Sequence, residues 1–440
     1  MNAALDTCTD LPAMRALLQR RLPGFADEGL HIDALRMHKA RRSSSLQRNP
    51  HPITLCYELQ VAGGDHHGMG CQMLYGKMFR AGASASCFAS IDQSRLQPPA
   101  FGAALVHLAE LDMVLWALPN DPGLPQLAAL LDPQQLPSLL PWAALAIDPQ
   151  RLRSVEVEML RYEPEQRATL RCSVTLDGAH APLVLYAKTF GDARGRAVDE
   201  RFRHFWQRAL ADTSAPLVAP PLGYDASTQT AWQGAAEGVP LLQALAESDA
   251  SARSSLLTQV AQALAAVHAA PLAWNRERPL AHWRAEAQRR RTKIARAEPA
   301  LAARAAALVE SIDALAARWP DVALGLIHGD FHPDQVWLHQ GRVVLFDFDE
   351  FTLGDPLEDI AEFALKLGDE SWSRAFINAA AATTGSGFDG DRLRWHLAVQ
   401  SLLQASRAFI FQREGWRTEL ALWLARAERE AAALMAGSTA

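Results

Sequence analysis

The sequence lacks the features that place a chain in a membrane or in an oxidising compartment. Nowhere in its 440 residues is there a run of about 18 uncharged apolar residues, and the opening MNAALDTCTDLPAMRALLQRR contains no apolar core of a signal peptide. The five cysteines are scattered, without the C-x-x-C spacing that indicates a zinc site or the pattern of a disulfide framework. These absences predict a cytoplasmic protein that has no membrane partner.

The sequence also lacks a strong excess of either charge, and it contains few lysines. Its 43 Lys and Arg residues against 49 Asp and Glu residues give a formal net charge of −6. There is therefore no electrostatic reason to expect nucleic acid as a partner. Because most of the basic residues are arginine, each position that keeps a lysine is a candidate for function. These lysines are Lys39, Lys77, Lys188, Lys293 and Lys366.

Chain length, composition and the spacing of apolar residues predict several domains that contain both helices and strands. A chain of 440 residues is too long for one ordinary core, and its 49% of hydrophobic and 21% of charged residues are typical of a globular protein. Strand-like runs separated by turn residues predict a β-rich module over residues 1–150 and a second β-rich domain over 151–238. Ala-rich stretches with apolar residues three or four apart predict a helical domain over 239–440. The predicted class is α+β, and the oligomeric state stays open.

The two β-rich regions resemble each other, which indicates an internal duplication. In this alignment Lys77 is the counterpart of Lys188, so it marks either a second nucleotide site or a degenerate copy kept for structure or regulation. No catalytic loop follows Lys77, which favours the degenerate copy. The matching segments are Leu35-Arg36 with Leu160-Arg161, Tyr75–Phe79 with Tyr186–Phe190, and Leu115-Trp116 with Ala231-Trp232.

The sharpest chemical signal is the stretch LIHGDFHPDQ, which ends at Gln335. An apolar strand ends, Gly329 permits a tight turn, and Asp330 is followed five residues later by an amide side chain. Protein kinases use the same spacing, with the Asp orienting the attacking hydroxyl and the amide oxygen holding Mg²⁺. The alternatives are a turn Asp that caps a loop and a surface amide. His328 is expected to be buried and to brace the loop, while His332 is either near the substrate or structural.

Two further elements follow within about 20 residues. In VVLFDFD an apolar strand leads to Asp347, a carboxylate suited to Mg²⁺. Asp349 would share a strand face with it if the chain stays extended, so it is either a second metal contact or a solvated charge. In GDPLED, Asp355 resembles an N-cap and Glu358 the second half of a capping box, which makes this element structural on its own terms.

These elements resemble the aminoglycoside phosphotransferase and choline kinase superfamily, whose members carry H-G-D-x-x-x-x-N, an Asp that opens a metal loop, and G-D-P-x-x-D. The resemblance implies a two-lobed protein-kinase-like fold, here preceded by an extra β-rich module. It also implies ATP and Mg²⁺ as cofactors and a small-molecule hydroxyl as acceptor. Asp330 would be the catalytic residue and Asp347 the principal metal ligand, while Asp349 is kept as a candidate for a second metal contact. Gln335 departs from the usual Asn and is similar to the Gln of maltokinase-like relatives.

By the same analogy, the β-rich lobe should supply a lysine for the α- and β-phosphates and an acidic partner on the following helix. Lys188 ends a predicted strand, and Glu200 follows on a predicted helix. The lobe contains no G-x-G-x-x-G loop, so residues near 167–169 are assigned to the phosphate side.

Three functions are consistent with the sequence. The favoured one is a kinase for a sugar, amino sugar, choline-like alcohol or similar metabolite, with antibiotic resistance ranked below metabolic or envelope-sugar phosphorylation. The second is a pseudokinase or regulatory nucleotide-binding module, suggested by the duplicated lobe and by Gln335, although Asp330 and Asp347 are both retained. The third keeps ATP and Mg²⁺ but transfers AMP.

Overall fold

The polypeptide divides into two compact units. The first comprises Met1–Asp199 and Leu222–Gly234, and the second comprises Glu200–Pro221 and Ala235–Ala440. Both β-rich regions belong to the first unit, and a boundary at residue 150 stays a prediction. The structure, a computed structural model, describes residues 7–25, 29–42, 53–63, 70–80, 82–272, 276–411 and 415–437.

The first unit contains two five-stranded sheets with the same strand order. In each sheet the first three strands pair in sequence, and the fifth strand lies between the third and the fourth. The predicted duplication is therefore one of topology as well as of sequence. The first sheet is built from β1 (His31–Arg42), β2 (Ile53–Ala62), β3 (Gly70–Met78), β4 (Leu105–Leu108) and β5 (Met113–Ala117), and the second from β6 (Leu152–Glu163), β7 (Arg167–Leu176), β8 (Leu183–Phe190), β10 (Pro221–Asp225) and β11 (Thr230–Gly234).

The duplicated lysines occupy equivalent positions on the third strand of each sheet. Lys77 of β3 lies opposite Thr54 of β2, and Lys188 of β8 lies opposite Thr169 of β7. Since both strand pairs are antiparallel, each lysine side chain leaves the same face of its sheet as the threonine opposite. The register therefore supports the alignment of these two lysines.

The match of Trp116 with Trp232 is wrong by one residue. Trp116 lies opposite Tyr75, two residues before Lys77, whereas Trp232 lies opposite Ala187, one residue before Lys188. Because side chains alternate between the two faces of a sheet, a shift of one residue sends the two indoles to opposite faces relative to the lysines. The sequence match at a similar spacing therefore did not align residues on the same face of the sheet.

The segment that joins the two sheets packs against the second one. Its buried leucines share a core with the inward face of β7, where every second residue is buried. Gln126 adds two hydrogen bonds, to Thr189 Oγ1 (2.7 Å) and to the carbonyl of Phe190 (2.9 Å). The shared core explains why both sheets belong to one unit. The helices of this unit are α1 (Leu11–Arg21), α2 (Ala83–Ser90), α3 (Leu127–Leu131), α4 (Leu136–Leu139), α5 (Trp142–Leu145) and the start of α6 (Arg194–Ala211).

The second unit is mainly helical, as the Ala-rich periodicity predicts. Long helices bury small and aliphatic side chains around Trp395, which is fully buried and donates its indole N–H to the carbonyl of Ile312 at 3.0 Å. The predicted α+β class is thus confirmed. The helices after α6 are α7 (Leu241–Glu247), α8 (Ala250–His268), α9 (Leu280–Ala297), α10 (Ala302–Ala316), α11 (Leu357–Lys366), α12 (Glu370–Thr384), α13 (Gly390–Phe411) and α14 (Trp416–Gly437).

Two small sheets in the second unit carry the predicted motif loops. The loop of Asp330 follows a strand of a three-stranded sheet, in the order Glu277–Arg278, Thr352–Gly354 and Gly325–Ile327. The loop of Asp347 follows a strand of a four-stranded sheet, in the order Val239–Pro240, Val336–His339, Arg342–Leu345 and Leu217–Val218. None of the helices in the described part of the chain is long and apolar enough to cross a membrane. The strands are β9 (Leu217–Val218), β12 (Val239–Pro240), β13 (Glu277–Arg278), β14 (Gly325–Ile327), β15 (Val336–His339), β16 (Arg342–Leu345) and β17 (Thr352–Gly354).

The core of the second sheet gives a stability prediction. Leu170 of β7 is fully buried, so Leu170→Ala should lower the free energy of unfolding by about 3 kcal/mol through lost burial and a residual cavity. Leu160 of β6 is 49% exposed, and Leu160→Ala should change it by less than about 0.5 kcal/mol. Urea unfolding followed by tryptophan fluorescence measures both, and equal losses would contradict the described burial.

Candidate catalytic and metal-binding site

The loop that follows β14 is held by its own backbone geometry. Gly329 has φ +79, and a Cβ at this position would collide with the carbonyl oxygen of Glu350, so both the conformation and the space require glycine. His328 is fully buried, and its Nε2 lies 2.9 Å from the carbonyl oxygen of Phe346. The prediction that His328 braces the loop is therefore confirmed.

A buried carboxylate on α11 holds the same loop through its backbone N–H groups. Asp359 accepts the backbone N–H of His328 at 2.7 Å and that of Gly329 at 2.9 Å, and its Oδ2 lies 2.9 Å from His268 Nε2. Burial raises the pKa of this carboxyl, but the hydrogen bond and charge of His268 and the loop N–H groups outweigh it, so the pKa is lowered overall. Asp359 is thus an ionised anchor for the residues directly before Asp330.

The neighbouring Glu358 is buried as well, and its partners differ from the predicted capping box. Its Oε1 pairs with Arg278 at 2.5 Å, and its Oε2 accepts the indole N–H of Trp283 at 2.7 Å. Asp355 does accept the N–H of Leu357 at 3.1 Å, as a cap should. The capping-box half of the prediction is wrong because a cation from β13 reaches Glu358. Arg278 also donates to the carbonyl of Gly329 at 3.1 Å, which ties the loop to this pair.

Asp330 lies beside a lysine that the motif does not contain. Lys366 Nζ is 3.4 Å from Asp330 Oδ1 and 2.8 Å from Oε1 of Glu362, one turn earlier on α11. Burial raises the pKa of Asp330, yet the charges of Lys366 and of His332, 3.9 Å away, hold it below its ordinary value. Asp330 is thus a half-buried carboxylate that stays ionised.

Gln335 and Asp347 face each other, as a shared metal site requires. Gln335 is 8% exposed, so it is not a surface amide, and its Nε2 lies 3.3 Å from Asp347 Oδ2 and 3.2 Å from His332 Nε2. Asp347, the second residue after β16, has a left-handed backbone (φ 59) and is followed by the short 3-10 helix Phe348–Glu350. The chain does not stay extended, so the expectation that Asp349 shares a strand face with Asp347 is wrong.

The donor set near Asp347 fits Mg²⁺. Within the described residues no cluster of three or more His, Cys, Asp or Glu side chains is placed to hold a metal. Mg²⁺ does not need such a cluster, since it commonly takes one or two carboxylates and completes its shell with waters and phosphate oxygens. Asp347 and the amide oxygen of Gln335, exposed by rotation of the amide, supply such a pair of oxygen donors. Asp349 lies two residues further along the same loop.

An arginine of α6 anchors the loop that begins at Asp347, where the metal site is expected. Arg201 is buried and donates to the carbonyl of Phe348, and also to that of Asp349 at 3.3 Å. Phe202 stacks on Phe348 with ring centroids 4.6 Å apart. Burial lowers the pKa of Arg201 to about 10, which still leaves it charged at neutral pH. The loop from Asp347 onward is therefore fixed by contacts that its own sequence does not reveal.

Comparison with known proteins identifies the family. The model of the phosphotransferase enzyme family matches residues 175–396, slightly more than half of the chain. The chain belongs to the phosphotransferase enzyme family. This confirms the superfamily resemblance drawn from the motifs and the protein-kinase-like fold class, whereas the maltokinase-like character of Gln335 stays a prediction. No curated protein sequence matches the chain.

Solved structures of related enzymes resemble this phosphotransferase only distantly. A thermostable mutant of aminoglycoside phosphotransferase APH(4)-Ia, in a ternary complex with AMP-PNP and hygromycin B, is 19% identical with a TM-score of 0.45; the match covers 63% of this chain and 94% of that one. Choline kinase LicA from Streptococcus pneumoniae is 15% identical with a TM-score of 0.45, and the match covers 68% and 98%. At this distance neither protein's ligand carries over to this chain.

The nucleotide-lobe residues predicted for this phosphotransferase fall in different units. Lys188 is half-buried on β8 in the first unit, whereas Glu200 is exposed and belongs to the second. Asp199, directly before it on α6, is 5% exposed. A carboxylate that neutralises a lysine beside phosphates gains most when water is excluded, so the burial favours Asp199 over Glu200 for this role. The pairing of Lys188 with Glu200 stays a prediction.

Three residues support the site beyond the predicted ones: Lys366, which sequence reasoning named only as a scarce lysine, and Glu362 and Arg201, which it missed. For Lys366 a signal existed, because lysine is scarce in this chain and Lys366 follows Glu362 by four residues on a predicted helix. Its proximity to Asp330 depends on the packing of α11 under the loop. Arg201 carried no signal, since arginine is common on α6.

The buried anchor of the loop gives a stability prediction. Asp359→Asn places an NH₂ group against one of two backbone N–H donors, so the free energy of unfolding should fall by about 2–3 kcal/mol near pH 7. Because the pKa of Asp359 is lowered in the folded protein, its stabilisation is present above the ordinary Asp range and is lost as the pH falls through the lowered pKa. The difference from wild type should therefore shrink in acid.

Urea unfolding at several pH values measures this difference. Glu370→Gln is the control, since its side chain is 87% exposed at the start of α12 and its loss should change stability by less than about 0.5 kcal/mol at every pH. A penalty for Asp359→Asn that is the same at acid and neutral pH would show that its ionised form is not what stabilises the loop.

Proposed function

We propose that this protein is an ATP- and Mg²⁺-dependent kinase that phosphorylates a hydroxyl group of a small molecule, with Asp330 as the catalytic residue. The observation that carries the proposal is the grouping on two neighbouring loops of an ionised, lysine-flanked Asp330 with the facing pair Gln335 and Asp347. Family membership supports phosphoryl transfer as the reaction class. The acceptor class proposed is a sugar, an amino sugar or a similar metabolite.

Phosphoryl transfer asks the protein for position and charge rather than for covalent chemistry. Gln335 and Asp347 would hold Mg²⁺, which when bound neutralises charge on the phosphate oxygens. Asp349 is retained as a further candidate ligand. Lys188 would contact the α- and β-phosphates of the nucleotide, with Glu200 or the better buried Asp199 as its acidic partner.

Asp330 acts by orienting the acceptor hydroxyl. Its oxygens accept the hydroxyl hydrogen, which directs the attacking lone pair of the acceptor oxygen at the phosphorus. Because its pKa lies below the ordinary value, it is a weak base, and it takes the proton only once the new O–P bond has made the hydroxyl acidic. Lys366 keeps Asp330 ionised and oriented, and Glu362 holds Lys366 in place.

The reaction is tested by incubating the protein with ATP and Mg²⁺ against a panel of sugars, amino sugars and amino alcohols, and by following ADP and AMP release. One acceptor should stimulate ADP release, and EDTA should abolish the stimulation. Asp330→Asn should lower kcat by about 10³-fold while leaving the dissociation constant of ATP within a factor of about two. AMP release with an adenylylated product would refute phosphoryl transfer, and absence of both turnover and ATP binding would favour a binding module.

The charge beside Asp330 gives a pH prediction. Lys366→Met removes the largest charge that lowers the pKa of Asp330, so that pKa should rise and the acidic limb of the kcat/KM profile should move to higher pH. The rate should be lost in mild acid and partly recovered in alkali. Lys293→Met is the matched control, because the charged neighbours of Lys293 are residues of its own helix, namely Arg290, Glu286 and Arg289. An unchanged limb in Lys366→Met would exclude this role.

A further inference from the structure

We propose that the first sheet positions and neutralises the turn between β6 and β7, through an ion pair between Lys77 and Glu165, and thereby raises the affinity for the nucleotide phosphates. The inference rests on the proposed function, in which the second sheet binds ATP. It assigns a role to Lys77, the counterpart of Lys188, that the duplication alone leaves open.

Lys77 is committed to a carboxylate of the same unit. Its Nζ pairs with Oε1 of Glu165, and it lies 5.8 Å from the ring centroid of Tyr75 and 5.7 Å from that of Trp116. The lysine is 8% exposed, so it is nearly removed from water. A phosphate bound here would have to displace Glu165 from a buried cation, which argues against a second nucleotide site.

The turn that carries Glu165 is fixed by further contacts from outside its own hairpin. Glu165 has a left-handed backbone (φ 61), which is uncommon for a residue with a side chain. Its N–H donates to Oδ2 of the buried Asp121 at 2.8 Å, and the same oxygen accepts the hydroxyl of Tyr162 at 2.7 Å. Asp121 belongs to the segment that joins the two sheets. The turn is thus held by β3, through Lys77, and by the segment that joins the two sheets, through Asp121.

Two glycines let the neighbouring backbone close around the turn. A Cβ on Gly123 would lie 2.5 Å from the Cα of Glu165, and one on Gly191 would lie 2.5 Å from its carbonyl oxygen. Gly191 also donates its N–H to the carbonyl of Gln166 at 2.8 Å. This packing leaves the turn little freedom, although the turn itself contains no glycine.

The position of the turn makes its charge important. In kinases the hairpin turn between the first two strands of the nucleotide lobe covers the phosphates. Here that turn reads Glu163-Pro164-Glu165-Gln166, so two carboxylates lie where a polyphosphate would be approached. A carboxylate near a polyphosphate repels it. Glu163 pairs with Arg167 at 2.9 Å within the hairpin, whereas Glu165 depends on Lys77 of the other sheet.

The test compares Lys77→Gln, Lys77→Arg and wild type by calorimetric titration with ATP plus Mg²⁺ and with adenosine. Lys77→Gln should raise the dissociation constant of ATP about tenfold and that of adenosine by less than about twofold, because only the phosphates meet the unpaired carboxylate. Lys77→Arg retains the cation and should restore ATP affinity to within about threefold. Arg153→Gln removes the pair with Asp177 at the opposite end of the same hairpin and should leave both affinities unchanged.

Equal weakening of ATP and adenosine, or no weakening of either, would overturn the proposal. Hydrogen exchange separates its failure from that of the proposed function, because it needs no nucleotide. In Lys77→Gln and in Glu165→Gln, a change at a partly exposed position, the amides of residues 165–167 should exchange at least about fivefold faster than in wild type. Unchanged exchange refutes the anchoring even if no nucleotide binds, whereas faster exchange without ATP binding in wild type refutes the kinase assignment alone.

Discussion

The buried carboxylate of Asp359 is the contact on which the candidate site depends. It is fully buried, accepts two consecutive backbone N–H groups, of His328 and Gly329, and pairs with His268. In such surroundings a charged hydrogen bond is strong and its loss is costly. Because the two N–H groups directly precede Asp330, the geometry of the catalytic candidate follows from that of its anchor.

The same helix supplies both structural and chemical charges. The first turn of α11 carries Glu358 and Asp359, which hold the loop, and its second half carries Glu362 and Lys366, which set the charge beside Asp330. One helix therefore fixes the position of a carboxylate from one end and its ionisation from the other. This arrangement couples the stability of the fold to the chemistry of the site.

The lysines at equivalent positions of the two duplicated sheets have different surroundings. Lys77 and Lys188 occupy equivalent positions in sheets of the same strand order, but Lys77 is buried against Glu165 and two aromatic rings. A lysine on the third strand is suited to bind whichever anion lies above the sheet. In the first sheet that anion belongs to the chain itself, which converts an inherited position into a link between the sheets.

The sequence by itself determined the class of fold, the duplication and the residues of the motif loops. Hydrophobic periodicity and residue spacing are local properties, and they placed Asp330, Gln335 and Asp347 on loops after strands. The resemblance of these motifs to a known superfamily indicated the family, which the family model confirmed. Local patterns did not determine the sheet face of Trp116, the conformation after Asp347, the partner of Glu358 or the neighbours of Lys366. Those depend on register, backbone turns and burial, which bring together residues that are far apart in the chain, so only the tertiary structure decided them.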